Sequence, residues 1–273
     1  MKKFRAKLAQ ILMGGMVCSS VFAAVPNDQQ LFDKLNAPEQ WHNVMHDSGT
    51  KDWNEHWFVD GTKNTLSNSA RGMTFTTGSV EMDPAHHGVL WTKQSFAGDI
   101  KIEYDYTRLD TEHKWVNILY IQATGVGTKP YLEDISRWSA LRAIPKMKTY
   151  FNHMNLLHIS YAAFGAKDVG VDADYVRARR YPLSPGGTFF SDTKVAGDYH
   201  ATGLFVPNEK YHVTVIKKGH HLLMEFKNEQ RSRLFSWDTS QYPLVSHGRI
   251  GLRQMWRKSV IYKDFKVSIL AQQ

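Results

Sequence analysis

The sequence predicts an all-β protein, a two-sheet antiparallel sandwich or jelly roll with little helix. Three observations predict this class: apolar and polar residues alternate over most of the chain, turn residues separate the alternating runs, and helical periodicity is scarce. The 273 residues contain no repeat, low-complexity tract or linker, and this length suits one β domain. We therefore expect a single jelly-roll domain over residues 24–273.

The clearest predicted strand runs from Ile100 to Arg108, where apolar or aromatic side chains alternate with charged ones as in a half-buried strand. Similar alternation predicts further strands over Asn117–Thr124, Asn155–Phe164, Tyr211–Lys217, Leu222–Phe226, Arg249–Met255 and Ser259–Leu270. Turn residues precede three of these strands, at Gly98-Asp99, Lys218-Gly219 and His247-Gly248. Helical pattern is confined to Leu31–Leu35 and Ile135–Leu141.

The N-terminus has the composition of an export signal. Four basic side chains open the chain, at Lys2, Lys3, Arg5 and Lys7, and an apolar run from Ile11 to Phe22 follows them. This order and the Val21-x-Ala23 exit are typical of a secretory signal peptide, here residues 1–23. The run is too short for a membrane span, which needs about 20 apolar residues. We expect a secreted or periplasmic protein without a membrane span.

Net charge and cysteine content narrow the function classes. Cleavage after Ala23 lowers the formal net charge from +8 to +4, so charge predicts no nucleic-acid partner. The single cysteine, Cys18, lies in the signal segment. A lipoprotein signal there is an alternative, although Val17 is larger than the residue expected before a lipidated cysteine. The mature chain would lack cysteine, which excludes thiol catalysis, disulfides and thiolate metal sites.

Two segments resemble a known family. The segments Met154-Asn-Leu-Leu-His-Ile-Ser-Tyr161 and Gly248-Arg-Ile-Gly-Leu-Arg-Gln-Met255 are similar to the YesU-like family, and the likeness extends to Trp91–Tyr106 and Tyr262–Val267. That family has jelly-roll domains of the concanavalin A-like lectin/glucanase type and occurs in bacterial systems that degrade acidic polysaccharides. The resemblance implies a concanavalin A-like fold and an acidic polysaccharide or oligosaccharide as partner, but it does not define a reaction.

The strand around His158 is the first candidate site. Alternation predicts one face with Leu157, Ile159, Tyr161 and Ala163, and another with His158, Ser160, Ala162 and Phe164. The small neighbours of His158 leave room for a ligand beside the imidazole. The alternative is a core histidine that a neighbouring hydroxyl satisfies.

Basic and aromatic residues flank that strand. Tyr150 and His153 precede it, and we expect them in a loop at its mouth. After the strand, alternation places Tyr175, Arg177, Arg179 and Tyr181 on one side of the next one. Guanidinium groups bind carboxylates in two-point contacts and aromatic rings stack on sugars, which suits an acidic polysaccharide. The alternative is a solvated basic edge strand.

The chemistry that these residue types suit is β-elimination at a uronate, and the predicted function is a polysaccharide lyase. An arginine stabilises the carboxylate while a histidine or tyrosine moves the protons. The predicted catalytic residues are His158, Tyr150, Tyr161 and His153. The predicted substrate-binding residues are Arg177, Arg179, Arg180, Tyr181, Arg253 and Gln254. Alternation places Tyr161 on the core face, which favours packing unless a bulge redirects it, and it points Arg253 and Gln254 to opposite faces.

Two other function classes stay open. A jelly-roll glycoside hydrolase needs two carboxylates about 5–10 Å apart. Glu103 and Asp105 share a strand face, but Arg108 stands at the third acidic position of the laminarinase-type motif, and outer-face charges are the simpler interpretation. The other alternative is a non-catalytic carbohydrate-binding protein that uses the same residues.

No cofactor and no metal ligand set is predicted. Neighbouring histidines such as His86-His87 and His220-His221 point to opposite faces of a strand and rarely bind one ion. Calcium is the one alternative, through Asp168, Asp172 and Asp174 in a glycine-containing loop, but their spacing lacks an EF-hand pattern.

Overall fold

A computed structural model describes residues 27–165 and 173–270 as two antiparallel β-sheets of eight strands each. The predicted all-β jelly roll with little helix is confirmed. The signal peptide, Cys18, Asp168 and Asp172 lie outside the described residues, so these predictions stay predictions. Within the described ranges, the helices are all too short or too polar to cross a membrane.

Strands are numbered along the chain through both sheets. Sheet I contains β1 (Trp41–Asp47), β3 (Thr65–Ser69), β4 (Gly72–Thr76), β7 (Ile100–Arg108), β12 (Lys210–Lys218), β13 (His221–Lys227), β14 (Ser232–Asp238) and β16 (Ser259–Leu270). Its order is β14-β13-β12-β7-β16-β4-β3, and β1 also pairs with β16. The predicted bounds of β7 and β16 are those of the structure.

Sheet II carries the predicted site residues other than Tyr150 and His153. It contains β2 (Trp57–Asp60), β5 (Gly88–Thr92), β6 (Phe96–Ala97), β8 (Trp115–Gly125), β9 (Met154–Phe164), β10 (Asp174–Tyr181), β11 (Lys194–His200) and β15 (His247–Gln254). Its order is β11-β10-β9-β8-β15-β5-β2, and β6 pairs with β15. The strands β8, β9 and β10 are therefore neighbours near one side of this sheet.

Within the described ranges, three short α-helices and four 3-10 segments precede or join the strands. The helices are α1 (Asp28–Leu35), α2 (Met147–His153) and α3 (Phe189–Asp192). The 3-10 segments are Pro38–Gln40, Trp53–Glu55, Pro84–His86 and Ile135–Arg142. The predicted helix at Leu31–Leu35 is confirmed within α1, whereas the one at Ile135–Leu141 is a 3-10 segment with a kink at Trp138. The loop predicted around Tyr150 is wrong, because these residues form α2.

The main core lies between the two sheets, where alternate side chains of each strand point inward. On β9, Leu157, Ile159 and Tyr161 enter this core as predicted. The predicted alternation then fails, because Ala162 has a φ of 43° and begins a bulge. Ala162 therefore faces the core, whereas Ala163 packs in a second cluster on the outer face.

The second cluster is formed by the connection between β8 and β9, which we call the cover segment (residues 126–153). Its apolar side chains Ile135, Trp138 and Tyr150 pack with Trp91 and Tyr120 of sheet II. A connection of this length normally runs over solvent-exposed surface, but this one carries enough apolar area to bury itself against a sheet. It therefore covers the outer face of sheet II around the predicted site.

Candidate functional site

His158 lies beneath the cover segment, fully buried on the outer face of β9. Its Nδ1 is 2.7 Å from the Tyr181 hydroxyl oxygen, and its Nε2 is 2.7 Å from Ser160 Oγ. Burial, reinforced by Arg179 and Arg253, holds the pKa of His158 well below its usual range. The imidazole is therefore neutral, with one nitrogen donating and the other accepting, and its neighbours fill the space that the sequence assigned to a ligand.

Arg253 lies on the same face, on β15. Its Nη2 donates to His87 Nδ1 at 2.7 Å and to the Pro145 carbonyl oxygen at 2.5 Å, and its guanidinium carbon is 4.5 Å from the centre of the Tyr150 ring. Burial, reinforced by the charge of Arg253, lowers the pKa of His87 to about 2, so His87 is a neutral acceptor. Gln254 points to the opposite face as predicted, and it is fully buried.

Tyr150 attaches the cover segment to sheet II. Its hydroxyl donates to Asp60 Oδ2 at 2.8 Å, and the same oxygen accepts from Trp91 Nε1 at 2.7 Å and from Arg142 Nη1. Burial raises the pKa of Asp60, while Arg142, Trp91 and Tyr150 act in the opposite direction. The rings of Tyr150, Tyr120 and Trp91 lie parallel, with centres 5.4–6.4 Å apart. Tyr150 is therefore enclosed rather than free at the mouth of a strand.

Tyr161 lies on the other face of β9, between the sheets. Its hydroxyl is 3.3 Å from the Tyr104 hydroxyl and 3.4 Å from that of Tyr262. Its ring packs edge-on against Tyr106 at 5.3 Å. The structure thus separates Tyr161 from His158 by the thickness of the sheet, and the bulge at Ala162 begins one residue too late to redirect it.

The arginines of β10 are buried, and β11 lies outside this strand, so the alternative of a solvated edge strand is wrong. Arg177 pairs with Asp198 at 2.9 Å. Arg179 donates to Thr193 Oγ1 at 2.9 Å and lies 4.6 Å from the centre of the Phe189 ring. Groups of the protein itself therefore engage both arginines, which are not free for a substrate carboxylate.

Arg180 points the other way from Arg179. Its Nη2 donates to Asn155 Oδ1 at 2.6 Å and to the Pro243 carbonyl oxygen at 3.1 Å. Burial lowers its pKa to about 10. Arg180 therefore fixes the orientation of the Asn155 amide at the start of β9.

That amide lines an open depression of about 370 Å³ at one end of sheet II, which we call the sheet II pocket. Its lining residues are Thr124, Gly125, Val126, Gly127, Glu133, Asn155, Pro182 and His247. His247 Nε2 is 2.6 Å from Glu133 Oε1, and these side chains are 47% and 65% exposed. The pocket thus presents a carboxylate, an imidazole and an amide to solvent at one place.

The chain forms this pocket where β8 ends. A Cβ at Gly125 would lie 2.0 Å from the Leu132 carbonyl oxygen, so only glycine lets the cover segment turn back so closely. The Val126 N–H donates to the His153 carbonyl oxygen, and the Gly127 N–H donates to that of Tyr131. The rings of His153 and Tyr131 stack with their centres 3.6 Å apart. This half-buried pair therefore lies beside the pocket.

Glu103 and Asp105 lie on the outer face of sheet I, away from His158. Glu103 is 3.3 Å from Lys101 Nζ, and Asp105 contacts His212 at 3.1 Å and Lys210 at 3.3 Å. Asp105 lines a second depression, the sheet I pocket, of about 600 Å³. Its other lining residues are Glu209, Lys210, His212, Lys227, Asn228, Glu229 and Gln230. The two predicted hydrolase carboxylates are therefore engaged in ion pairs.

Among residues 27–165 and 173–270, no group of three or more His, Asp or Glu side chains is arranged to hold an ion. Asp174 accepts from the Thr202 N–H at 2.5 Å and from its hydroxyl at 2.6 Å, so protein donors occupy both carboxylate oxygens. The other two predicted ligands, Asp168 and Asp172, lie outside the described residues, so calcium at this loop stays a prediction.

The sequence matches no family model and no curated protein. Among solved structures, it is similar to a protein of unknown function with a galectin-like fold from Bacillus subtilis, with 19% identity and a TM-score of 0.63, over 85% of this chain and 100% of that one. It is also similar to the exoplasmic/lumenal domain of VIP36 bound to Ca²⁺ and Man3GlcNAc (10% identity, TM-score 0.54, 85% of this chain and 92% of that one). A legume lectin-like domain from Entamoeba histolytica has 6% identity and a TM-score of 0.53, over 85% of this chain and 99% of that one.

At such identities the likeness establishes the fold alone. The galectin-like and legume lectin-like neighbours confirm the predicted concanavalin A-like jelly roll. The finer resemblance to the YesU-like family stays a prediction.

Proposed function

We propose that this protein binds carbohydrate, and that the saccharide occupies the sheet II pocket. The observation that carries the proposal is the convergence of Glu133, His247 and Asn155 on one open depression of a lectin-like fold. Sugar hydroxyls both donate and accept hydrogen bonds, so they pair with a carboxylate, an imidazole and an amide together. Because Arg180 already orients the amide, this contact needs little ordering when a ligand binds.

The rim of the pocket supports the same proposal. Tyr131 and His153 stack beside it, and an aromatic face offers the apolar contact that one side of a sugar ring accepts. His153 thereby has a binding role in this proposal in place of the predicted role as a base. The VIP36 domain, which shares the fold, is bound to Man3GlcNAc in its own structure.

An acidic saccharide is the finer proposal. Arg180 is buried and hydrogen-bonds to an amide and to a carbonyl group, and it has no carboxylate partner among the described side chains. Its positive charge lies next to the Asn155 amide of the sheet II pocket, which favours an anionic chain there. A uronate-containing polysaccharide fits that charge.

A polysaccharide lyase is the second candidate, because the residue types of β-elimination lie together under the cover segment. The Tyr181 hydroxyl contacts His158 at 2.7 Å, and Arg179 and Arg253 influence the same imidazole electrostatically. Since all four side chains are buried, lyase chemistry here requires the cover segment to move away. The test is incubation with alginate, ulvan, pectin or glycosaminoglycans. New ultraviolet absorbance from an unsaturated uronate would identify lyase activity. Binding without that absorbance supports a non-catalytic carbohydrate-binding protein.

The compartment is part of the proposal. The signal-like residues 1–23 favour a secreted or periplasmic location, where polysaccharide ligands occur. Mass spectrometry of the mature protein should find the N-terminus near Ala24.

The binding site is tested by two matched substitutions. Calorimetry first identifies a ligand among alginate, ulvan, pectin, glycosaminoglycans, mannan and laminarin. For a polysaccharide that binds, His247→Ala should lower the affinity at least tenfold. His212→Ala removes a comparably exposed histidine that also pairs with a carboxylate, but on sheet I, and it should leave the affinity unchanged. Loss of binding in His212→Ala alone would place the saccharide on sheet I, and no binding to any polysaccharide would refute the proposed function.

A further inference from the structure

The cover segment concentrates the positive charge of the protein. Residues 126–153 contain five Lys or Arg side chains and two carboxylates, which gives a net charge of +3. Residues 24–273 together have a net charge of +4, so this short segment carries most of the positive excess. One of its cations, Arg142, is buried and pairs with Asp60. The other four are exposed, namely Lys129, Arg137, Lys146 and Lys148.

These four exposed cations have no carboxylate partner in the part of the chain that the structure describes. The two carboxylates of the cover segment are engaged elsewhere, since Glu133 pairs with His247 and Asp134 pairs with Arg249. Cations that no neighbouring acid neutralises add up to a positive potential, which attracts anionic partners. The segment therefore presents four uncompensated positive charges to solvent.

The way in which the cover segment packs turns these charges outward. Ile135, Trp138 and Tyr150 are buried in the second cluster against sheet II, so the exposed side chains between them face solvent. Two apolar side chains share this outer surface, since Leu141 and Ile144 are 44% and 46% exposed. Cations together with apolar contacts suit a partner that carries both negative groups and apolar ring faces.

The basic surface begins beside the sheet II pocket. Gly127 lines the pocket, and the Cα atom of Lys129, two residues later, is at most about 7.6 Å away along the chain. Val126, which also lines the pocket, donates its N–H to the carbonyl oxygen of His153, the last residue of α2. Lys148 lies about 7.5 Å from His153 along the axis of that helix. A chain bound in the pocket can therefore continue onto the cover segment.

We propose that the outer surface of the cover segment binds a linear anionic polysaccharide, whose chain continues from the sheet II pocket towards Lys146 and Lys148. This inference rests on the proposed carbohydrate binding, and it assigns repeated carboxylate or sulfate groups to the ligand. An anionic bilayer matches the surface less well. A membrane-bound amphipathic segment turns its large apolar side chains outward, whereas Ile135 and Trp138 are buried against sheet II.

Calorimetric titration with polymeric alginate tests the surface. At about 50 mM sodium chloride, where the Debye length exceeds 10 Å, the double variant Lys146→Gln/Lys148→Gln should bind alginate about fivefold more weakly than wild type, because two exposed ion pairs are lost. Raising the salt to about 300 mM should shrink this difference, since screening weakens the same pairs in the wild-type protein. No binding of alginate at the low salt concentration would overturn the inference.

Lys34→Gln/Lys266→Gln is the matched control. It removes the same charge from two exposed lysines on the side of sheet I, because α1 packs on that sheet and Lys266 belongs to β16. This variant should keep the wild-type affinity for alginate. Equal losses in the two double variants would indicate an effect of net charge alone and would overturn the inference. Binding to phosphatidylglycerol vesicles that Lys146→Gln/Lys148→Gln loses, with alginate affinity unchanged, would assign the surface to a membrane instead.

His247→Ala separates this inference from the proposed function. It removes a hydrogen-bonding group in the pocket, so its loss of alginate affinity should be similar at both salt concentrations. If His247→Ala weakens binding and Lys146→Gln/Lys148→Gln does not, the inference fails and the proposed function stands. If the lysine variant alone weakens binding, the cover segment is the binding surface and the proposed pocket fails.

Discussion

Replacing Arg142 by methionine should destabilise the protein by about 3–5 kcal/mol, the usual cost of removing one partner from a buried ion pair. Arg142 is fully buried, and its guanidinium donates to Asp60 Oδ2 and to the Ile135 carbonyl oxygen. Methionine keeps much of the apolar stem against Trp138 but leaves both acceptors without their charged donor. Asp60 then stays buried as a carboxylate with only Trp91 and Tyr150 as donors.

The pH dependence of this penalty follows from Asp60. Burial already raises the pKa of Asp60 above its unfolded value, and removing Arg142 takes away the largest opposing effect. The folded variant therefore takes up a proton more readily than the unfolded chain does, so the penalty should shrink as pH falls from 7 to 5. Urea unfolding at both pH values measures this change.

The matched control is Arg257→Met, which removes an arginine whose side chain is 47% exposed and pairs with Glu81. It should leave stability nearly unchanged, because exposed ion pairs contribute little. If Arg142→Met costs no more than Arg257→Met, or if its penalty is the same at both pH values, the buried pair does not hold the cover segment in the way argued above.

Two further predictions concern His158 and Gly251. Because burial holds the pKa of His158 well below its unfolded value, the unfolded chain binds a proton below about pH 6.5 that the folded protein does not, and wild-type stability falls as pH falls. His158→Gln lacks this pH-dependent loss. Its free energy of unfolding, measured by urea titration relative to wild type, should therefore increase by about 2 kcal/mol when the pH is lowered from 7 to 5. The same difference between variant and wild type at both pH values would contradict a neutral buried histidine. A Cβ at Gly251 would lie 2.5 Å from the buried Trp91 ring, so Gly251→Ala should cost about 1–3 kcal/mol in the same assay, whereas a cost near zero would mean that Trp91 moves freely.

Local pattern was sufficient to predict the strands and much of their orientation. Alternation placed Tyr161 between the sheets and pointed Arg253 and Gln254 to opposite faces, because the side-chain period of a strand is two. It failed at Ala162, where one extra residue in β9 shifts the register against β8. A bulge depends on the partner strand, and the run of Tyr161, Ala162 and Ala163 carries no local signal for it.

The enclosure of the predicted site was not predictable in the same way. The sequence grouped His158, Tyr181, Arg179 and Arg253 into one predicted site, but it did not predict what covers them. The groups that fasten the cover segment are distant in sequence, since Asp60 and Arg142 are 82 positions apart. The apolar pattern of Ile135–Leu141 predicted a helix, but not the sheet on which it packs.

The position of β16 in sheet I affects the order in which the protein can assemble. This strand lies between β7 and β4, and β1 pairs with it as well, yet it is the last strand of the described chain. During synthesis, β7 and β4 therefore have no common partner until residues 259–270 have been made. Until then, each of these two strands has one edge whose backbone groups are unpaired. Contacts between residues so far apart in sequence form slowly. A chain of this topology completes its core only after its C-terminal strand is available, so loss of that strand would leave two unpaired edges in the middle of a sheet rather than a shortened one.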